Sequence, residues 1–352
     1  MNLRGPTEEA PAKASVDLGR RARTEIVVEV KRGDALESRH RVFAAVADAS
    51  GDTLAHWGEV GRAIYPRSAI KALQALPIVE TGAANAFAVT DEELALACAS
   101  HRGEPAHTER VIAWLGRVGL NEGDLECGAH APLEARAAAA FARKGSRPTA
   151  IHNNCSGKHA GMLTHARHMG EDVAGYTHAD HPVQMRVRAT LEEMYGEALS
   201  HHGIDGCSIP TYAAPLAAIA RGMARLAEPG RFAHARVRAA RRIRKAWAEH
   251  PRLISGTGSF NTRILELLAP RILAKAGAEG VYCALVAEHG LGIVVKADDG
   301  AARAAETALV AVLREFGVID TALWERASDL GRQVVRNWND DPVGEIGAIL
   351  DI

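Results

Sequence analysis

β-Branched runs near both ends of the chain bracket a long middle of helical periodicity, and this arrangement restricts the fold more than any other feature. Residues 24–31 and 41–49 are rich in Val, Ile and Thr and are joined by a Gly-Asp turn signal, with 55–60 as a third strand. Residues 281–288 and 292–296 flank His289-Gly290-Leu291 and precede Asp298-Asp299-Gly300, which predicts a second hairpin. Helical spacing covers 68–80, 91–99, 108–118, 134–144, 156–169, 182–195, 215–226 and 233–249, and again 301–316 and 322–331. Thr90-Asp91-Glu92-Glu93 and Asn121-Glu122-Gly123-Asp124 read as caps with acidic first turns. The expectation is one antiparallel sheet assembled from both chain ends and covered by helices, with a helical lobe between, an α/β (α+β) architecture. A loose tail is expected at 1–23. A single unit follows over 24–352, with a sheet part at about 24–66 and 270–352 and a helical part at about 67–269.

Charge limits the partners. Forty-two Lys and Arg against 43 Asp and Glu leave a net charge of −1, which provides no field to steer the whole chain toward nucleic acid or an acidic membrane. A small-molecule partner is expected. Five scattered cysteines, Cys98, Cys127, Cys155, Cys207 and Cys283, argue against a disulfide framework and for a reducing compartment. The first 23 residues lack the apolar core of a secretory signal, and no apolar run reaches membrane-spanning length, so a cytoplasmic location is expected.

Three stretches carry candidate chemistry. In Pro66-Arg67-Ser68-Ala69-Ile70-Lys71 a serine and a lysine stand three apart at a helix start, where a desolvated amine could take the hydroxyl proton. Taken alone, the tetrapeptide is better read as a capping serine and a lysine snorkelling from a core helix. Cys98-Ala-Ser100-His101-Arg102-Gly103-Glu104 ends a helical pattern with polar groups suited equally to a pocket edge or a surface turn. His152-Asn153-Asn154-Cys155-Ser156-Gly157-Lys158-His159 packs amides, a thiol and an amine around glycine at a helix start, a composition that packing does not explain. The upstream glycine of a phosphate-binding P-loop is absent there. Cys155 and Lys158 share a helix face and, with Cys207, could offer two thiolates and an amine to zinc. Lysine is a rare zinc ligand, so spacing alone does not establish a metal site.

In order along the chain, these motifs, Asp205-Gly206-Cys207, Ser255-Gly256-Thr257-Gly258 and Lys275-Ala276-Gly277-Ala278-Glu279-Gly280 resemble the asparaginase II family of the rhizobial type, the class 3 L-asparaginases. The resemblance runs from about residue 24 to the C-terminus. It implies a fold related to serine β-lactamases and glutaminases, and hydrolysis of L-asparagine to L-aspartate and ammonia by a homodimer. It further implies Ser68 as nucleophile with Lys71 as its base, Ser100 with Lys275 as a second pair, and Arg67, His159 and Asp205 as substrate-binding residues. Cys155, Lys158 and Cys207 are implied as zinc ligands, with zinc not necessarily essential. One departure is local: Ser259 stands where the pattern has arginine, and Arg263 is the nearby candidate to replace it.

Two other readings remain open at this point. Another S-x-x-K amidohydrolase, such as a glutaminase, would share most of these residues, although the K-T-G triplet of β-lactam hydrolases is missing from Val294-Val295-Lys296-Ala297-Asp298. A zinc-binding regulatory protein would need only Cys155 and Cys207, with Ser68 as a cap.

Overall fold

The computed structural model of the protein describes residues 21–145 and 147–350. In chain order its strands are β1 (Arg21–Arg23), β2 (Ile26–Arg32), β3 (Ala35–Asp48), β4 (Thr53–Trp57), β5 (Ala63–Ile64), β6 (His202–Ile204), β7 (Pro210–Tyr212) and β8 (Ala214–Pro215). Then come β9 (Ile272–Gly277), β10 (Val281–Val286), β11 (Leu291–Ala297), β12 (Gln333–Arg336) and β13 (Pro342–Ile349). Nine of them form one sheet, in the order β12-β13-β2-β3-β11-β10-β9, with β4 beside β3 and β1 beside β4. Both chain ends therefore supply the sheet, as the hydrophobic patterning implies. The assigned tail, 1–23, lies outside the described residues as far as residue 20. Its last three residues are a correction, because β1 pairs in parallel with β4.

The helices are α1 (Lys71–Gln74), α2 (Leu76–Glu80), α3 (Ala83–Ala86), α4 (Asp91–Ala97), α5 (Pro105–Arg117), α6 (Ala135–Arg143), α7 (Ser156–Met169) and α8 (Pro182–Tyr195). They continue as α9 (Leu216–Ala227), α10 (His234–Glu249), α11 (Pro251–Ser255), α12 (Phe260–Leu268), α13 (Ala302–Glu315) and α14 (Thr321–Gly331). Thr90 and Glu93 form a reciprocal capping box on α4, and Asn121 caps the 3-10 turn Glu122–Asp124, as those sequences indicate. α7 ends at left-handed Gly170, a conformation glycine adopts without steric cost.

Strand alternation separates two cores. Val42, Ala44 and Val46 of β3, with Tyr282 and Ala284 of β10, face a layer that includes α13. Phe43, Ala45 and Ala47, with Cys283 and Leu285, face the helical side, where α9 crosses the sheet. Gly292 makes that crossing possible, since a Cβ there would lie 1.9 Å from the Ala220 carbonyl oxygen. On β9, Leu273 belongs to the helical-side core and Ala274 to the other. The same alternation turns Lys275, paired with Cys283, toward the helices.

The single helix expected over 68–80 is instead a 3-10 turn, Arg67–Ile70, followed by α1 and α2. Arg67 takes a left-handed φ of +50° and Pro77 sits in the first turn of α2, so the chain restarts its helix rather than extending one.

Candidate active site

Two buried lysines converge on one hydroxyl. Lys71 Nζ donates to Ser100 Oγ at 3.1 Å, and Lys275 Nζ lies 2.9 Å from the same oxygen. Both lysines are essentially inaccessible, at 0 % and 1 % exposure, while Ser100 is half-buried. Lys71 also bonds the Ala99 carbonyl and, at 3.1 Å, Cys155 Sγ. Lys275 donates to the Ala276 carbonyl at 2.6 Å. Burial, followed by the charge of Lys71, pushes the Lys275 amine well below the usual lysine range. A neutral amine within hydrogen-bond reach of a hydroxyl is the arrangement a general base requires.

Ser68 does not complete the expected pair directly. It is half-buried in the 3-10 turn, and among the described residues its hydroxyl has no hydrogen-bond partner. Lys71 opens α1 beyond the turn's end, and its amine is drawn to Ala99, Ser100 and Cys155 instead. The spacing of three brings the residues to neighbouring positions without making the bond. β9 nevertheless lies against this turn: a Cβ on Gly277 would sit 2.7 Å from the Pro66 carbonyl oxygen and 3.2 Å from Ala69 Cβ. The strand carrying Lys275 thus packs beside Ser68 only because residue 277 has no side chain.

The candidate substrate groups form two clusters. Arg67 grips Asp205 through Nε at 3.0 Å and Nη2 at 2.8 Å, both on Oδ1. Burial raises the carboxyl of Asp205, but the Arg67 bond and the Lys158 charge outweigh this and hold it below the usual range. His159 is fully buried, with Nδ1 2.6 Å from the Tyr176 hydroxyl. That hydroxyl also accepts the Glu126 N–H at 3.0 Å and keeps its own proton available for Nδ1. Burial, reinforced by Lys158, keeps the ring neutral, and Nε2 has no partner among the described residues.

Cys155, Lys158 and Cys207 also meet, although they come from the start of α7 and from a loop some fifty residues later. Lys158 Nζ is 3.0 Å from Cys207 Sγ. A hydrogen bond from Cys155 pulls the Cys207 thiol down to about 4, despite burial, and the same bond with burial pushes Cys155 up to about 12. Burial alone would neutralise Lys158, but the Cys207 thiolate more than reverses this. Among the described residues no group of three or more His, Cys, Asp or Glu could hold a metal. The convergent set is two sulfurs, which are soft donors, and an amine nitrogen, a combination of S and N donors that fits zinc.

The neighbouring polar motifs serve as scaffold. His101 Nε2 donates to Ser156 Oγ at 2.8 Å, and Ser156 in turn donates to the Ile151 carbonyl, tying the Ser100 loop to α7. Asn153 is spent on the Cys127 and Gly128 carbonyls and the Cys155 N–H. Arg263 is exposed and pairs with Asp329, so it does not stand in for the missing arginine: its position on the outer face of α12 turns it to α14. Two contributors escaped sequence reasoning. Tyr176 sits in an unmarked Gly-Tyr-Thr turn, and Asn261 registers only as part of the departure at Ser259-Phe260-Asn261.

The described residues contain no helix long and apolar enough to cross a membrane. A β-lactamase from Mycobacterium bovis is similar at 16 % identity and a TM-score of 0.42 over 78 % of this chain and 94 % of that one. Mglu is similar at 15 % identity and a TM-score of 0.43 over 79 % and 67 %. No curated protein matches the sequence. The model of the L-asparaginase II family matches residues 28–348, a span that contains every residue of the site just described, and the chain belongs to that family.

Proposed function

We propose that the protein hydrolyses L-asparagine to L-aspartate and ammonia through an ester on Ser68. The observation that carries this reading is the continuous chain Lys71–Ser100–Lys275 ending in a depressed amine. The Arg67–Asp205 pair supports a free α-amino acid as substrate. Its ion pair can be exchanged for two, the α-carboxylate taking Arg67 and the α-ammonium taking Asp205, so that no buried charge is left alone.

Proton accounting follows the chain. Lys71 passes a proton to Ser100 Oγ as the Ser100 hydroxyl proton moves to Lys275, which leaves Lys71 neutral. Lys71 then turns to Ser68 and takes its proton while Ser68 Oγ attacks the side-chain amide carbon. Backbone N–H groups around the turn are the source of donors for the tetrahedral oxygen. The proton on Lys71 goes to the amide nitrogen, ammonia leaves, and a β-aspartyl ester remains. Water attacks that ester, its proton enters the same chain, and aspartate departs with Ser68 restored.

Cys155, Lys158 and Cys207 would hold zinc, which supplies a fixed positive charge beside the substrate groups when bound. To bind it, Lys158 would give up its proton, and the positive charge that Asp205 now meets at Lys158 would come from the metal instead, so the expected effect is on binding. Exhaustive chelation is expected to raise KM while leaving much of kcat, measured by ammonia release. Loss of kcat that zinc restores would contradict this role.

Purified protein should release ammonia from L-asparagine with kcat/KM about 10- to 200-fold above that for L-glutamine, the discrimination one methylene allows in a closed pocket. A preference for glutamine would assign the site to the longer amide.

A further inference from the structure

We infer that Asn261 is a positioning residue for the proposed reaction, its carboxamide standing in for the strand that is missing on the open edge of β9 and so holding Lys275 against Ser100. The inference rests on the reading of Lys275 as the terminal base.

Among the described residues β9 has one strand neighbour, β10, where Lys275 faces Cys283. The flanking residues direct their backbone groups to the other side, and both meet the same side chain. Asn261 Nδ2 donates to the Ala274 carbonyl at 3.0 Å, and Asn261 Oδ1 accepts the Ala276 N–H at 2.8 Å. One carboxamide thus presents the donor and acceptor that a further strand would have presented, centred on Lys275. Asn261 is 2 % exposed, so water does not compete for either bond.

Asn261 itself is held from the Ser100 side. Thr262, its neighbour on α12, donates through Oγ1 to the Gly256 carbonyl at 2.6 Å. Thr257 in that loop bonds Glu104 twice, at 2.7 Å through N–H and 2.8 Å through Oγ1. Glu104 closes the loop that begins at Ser100, whose own N–H donates to the Ile254 carbonyl at 2.9 Å. A ring results: Ser100, the 254–258 segment, α12, Asn261, β9, Lys275 and back to Ser100. Its weakest backbone support would be the free edge of β9, and Asn261 closes it there. The Ala276 carbonyl, which accepts from Lys275 Nζ, belongs to the same clamped peptide pair.

Asn261→Ala should lower kcat for asparagine about 10- to 100-fold with KM within about twofold, because a base displaced by a fraction of an ångström loses alignment while Arg67, Asp205 and His159 are untouched. Deuterium exchange at the Ala276 amide should quicken, with the amides paired between β9 and β10 still protected. Asn261→Asp keeps the size and the acceptor for Ala276 but cannot donate to Ala274, and its charge strengthens the hold of Lys275 on a proton. The acidic limb of its kcat profile should move to higher pH, while Lys71, Cys98, Cys155 and Cys283, the other titratable groups near Lys275, are unchanged. The aspartate variant carries the test if the alanine variant does not fold. A kcat within twofold of wild type in the folded variants, or a loss appearing only in KM, would overturn the inference. If wild type proves inactive on amides, the functional reading fails and exchange alone decides the clamp: unaltered exchange at Ala276 overturns it.

Discussion

Lys275→Met is expected to slow asparagine hydrolysis by about 10²- to 10⁴-fold and, in the same protein, to raise the melting temperature. The two effects have one cause. A lysine amine with 1 % exposure is held neutral by burial, whereas the unfolded chain protonates it at about pH 10.4. Between the depressed folded value and about pH 10.4 the unfolded state binds the extra proton, so the wild type gains stability as pH rises. Methionine fills similar volume without that proton penalty. Its thermal advantage should be largest at low pH and shrink toward pH 10, read as melting temperature against pH for both proteins. A melting temperature below wild type throughout the range, in a folded variant, would show that Lys275 supports the fold rather than burdening it. Retention of activity would remove it from the proton chain.

Replacing Ser68 by alanine should cost at least about 10⁴-fold in ammonia release and leave no acyl group for hydroxylamine to trap. Ser100→Ala should behave differently. It breaks the link between the two lysines, with an expected loss of about 10²- to 10⁴-fold, yet an ester can still form on Ser68. The contrast follows from their surroundings: among the described residues the Ser68 hydroxyl, beside Arg67, has no hydrogen-bond partner, and the Ser100 hydroxyl is held between two amines. Full turnover by Ser68→Ala would exclude it as nucleophile, and an equal loss of trapping in both variants would blur the division of labour proposed for them.

Local signals proved readable where one element holds all the participants. α7 and α8 run over the residues their periodicity predicts, and the Thr90 capping box forms as its spacing implies. Cys155, the cap of α7, and Lys158 come to one side of the helix start because positions three apart share a face. β9, β12 and β13 went unseen. A lysine and a glycine interrupt the apolar run of β9, and the partly exposed edge strand β12 shows little alternation to detect. The residues that tune the site were the least visible. Asn261 and Tyr176 act on backbone groups or rings far along the chain, and no spacing rule encodes such partners. The Ser68–Lys71 spacing was legible, but the competition for the Lys71 amine by Ala99, Ser100 and Cys155 exists only after folding.

The most direct measurement is peptide mapping by mass spectrometry of protein quenched in acid while it turns over L-asparagine. The account predicts one added aspartyl group on the peptide holding Ser68, and none on those holding Ser100 or Cys155. An adduct on either of those residues, or turnover by the wild type with no adduct at any time point, would contradict it.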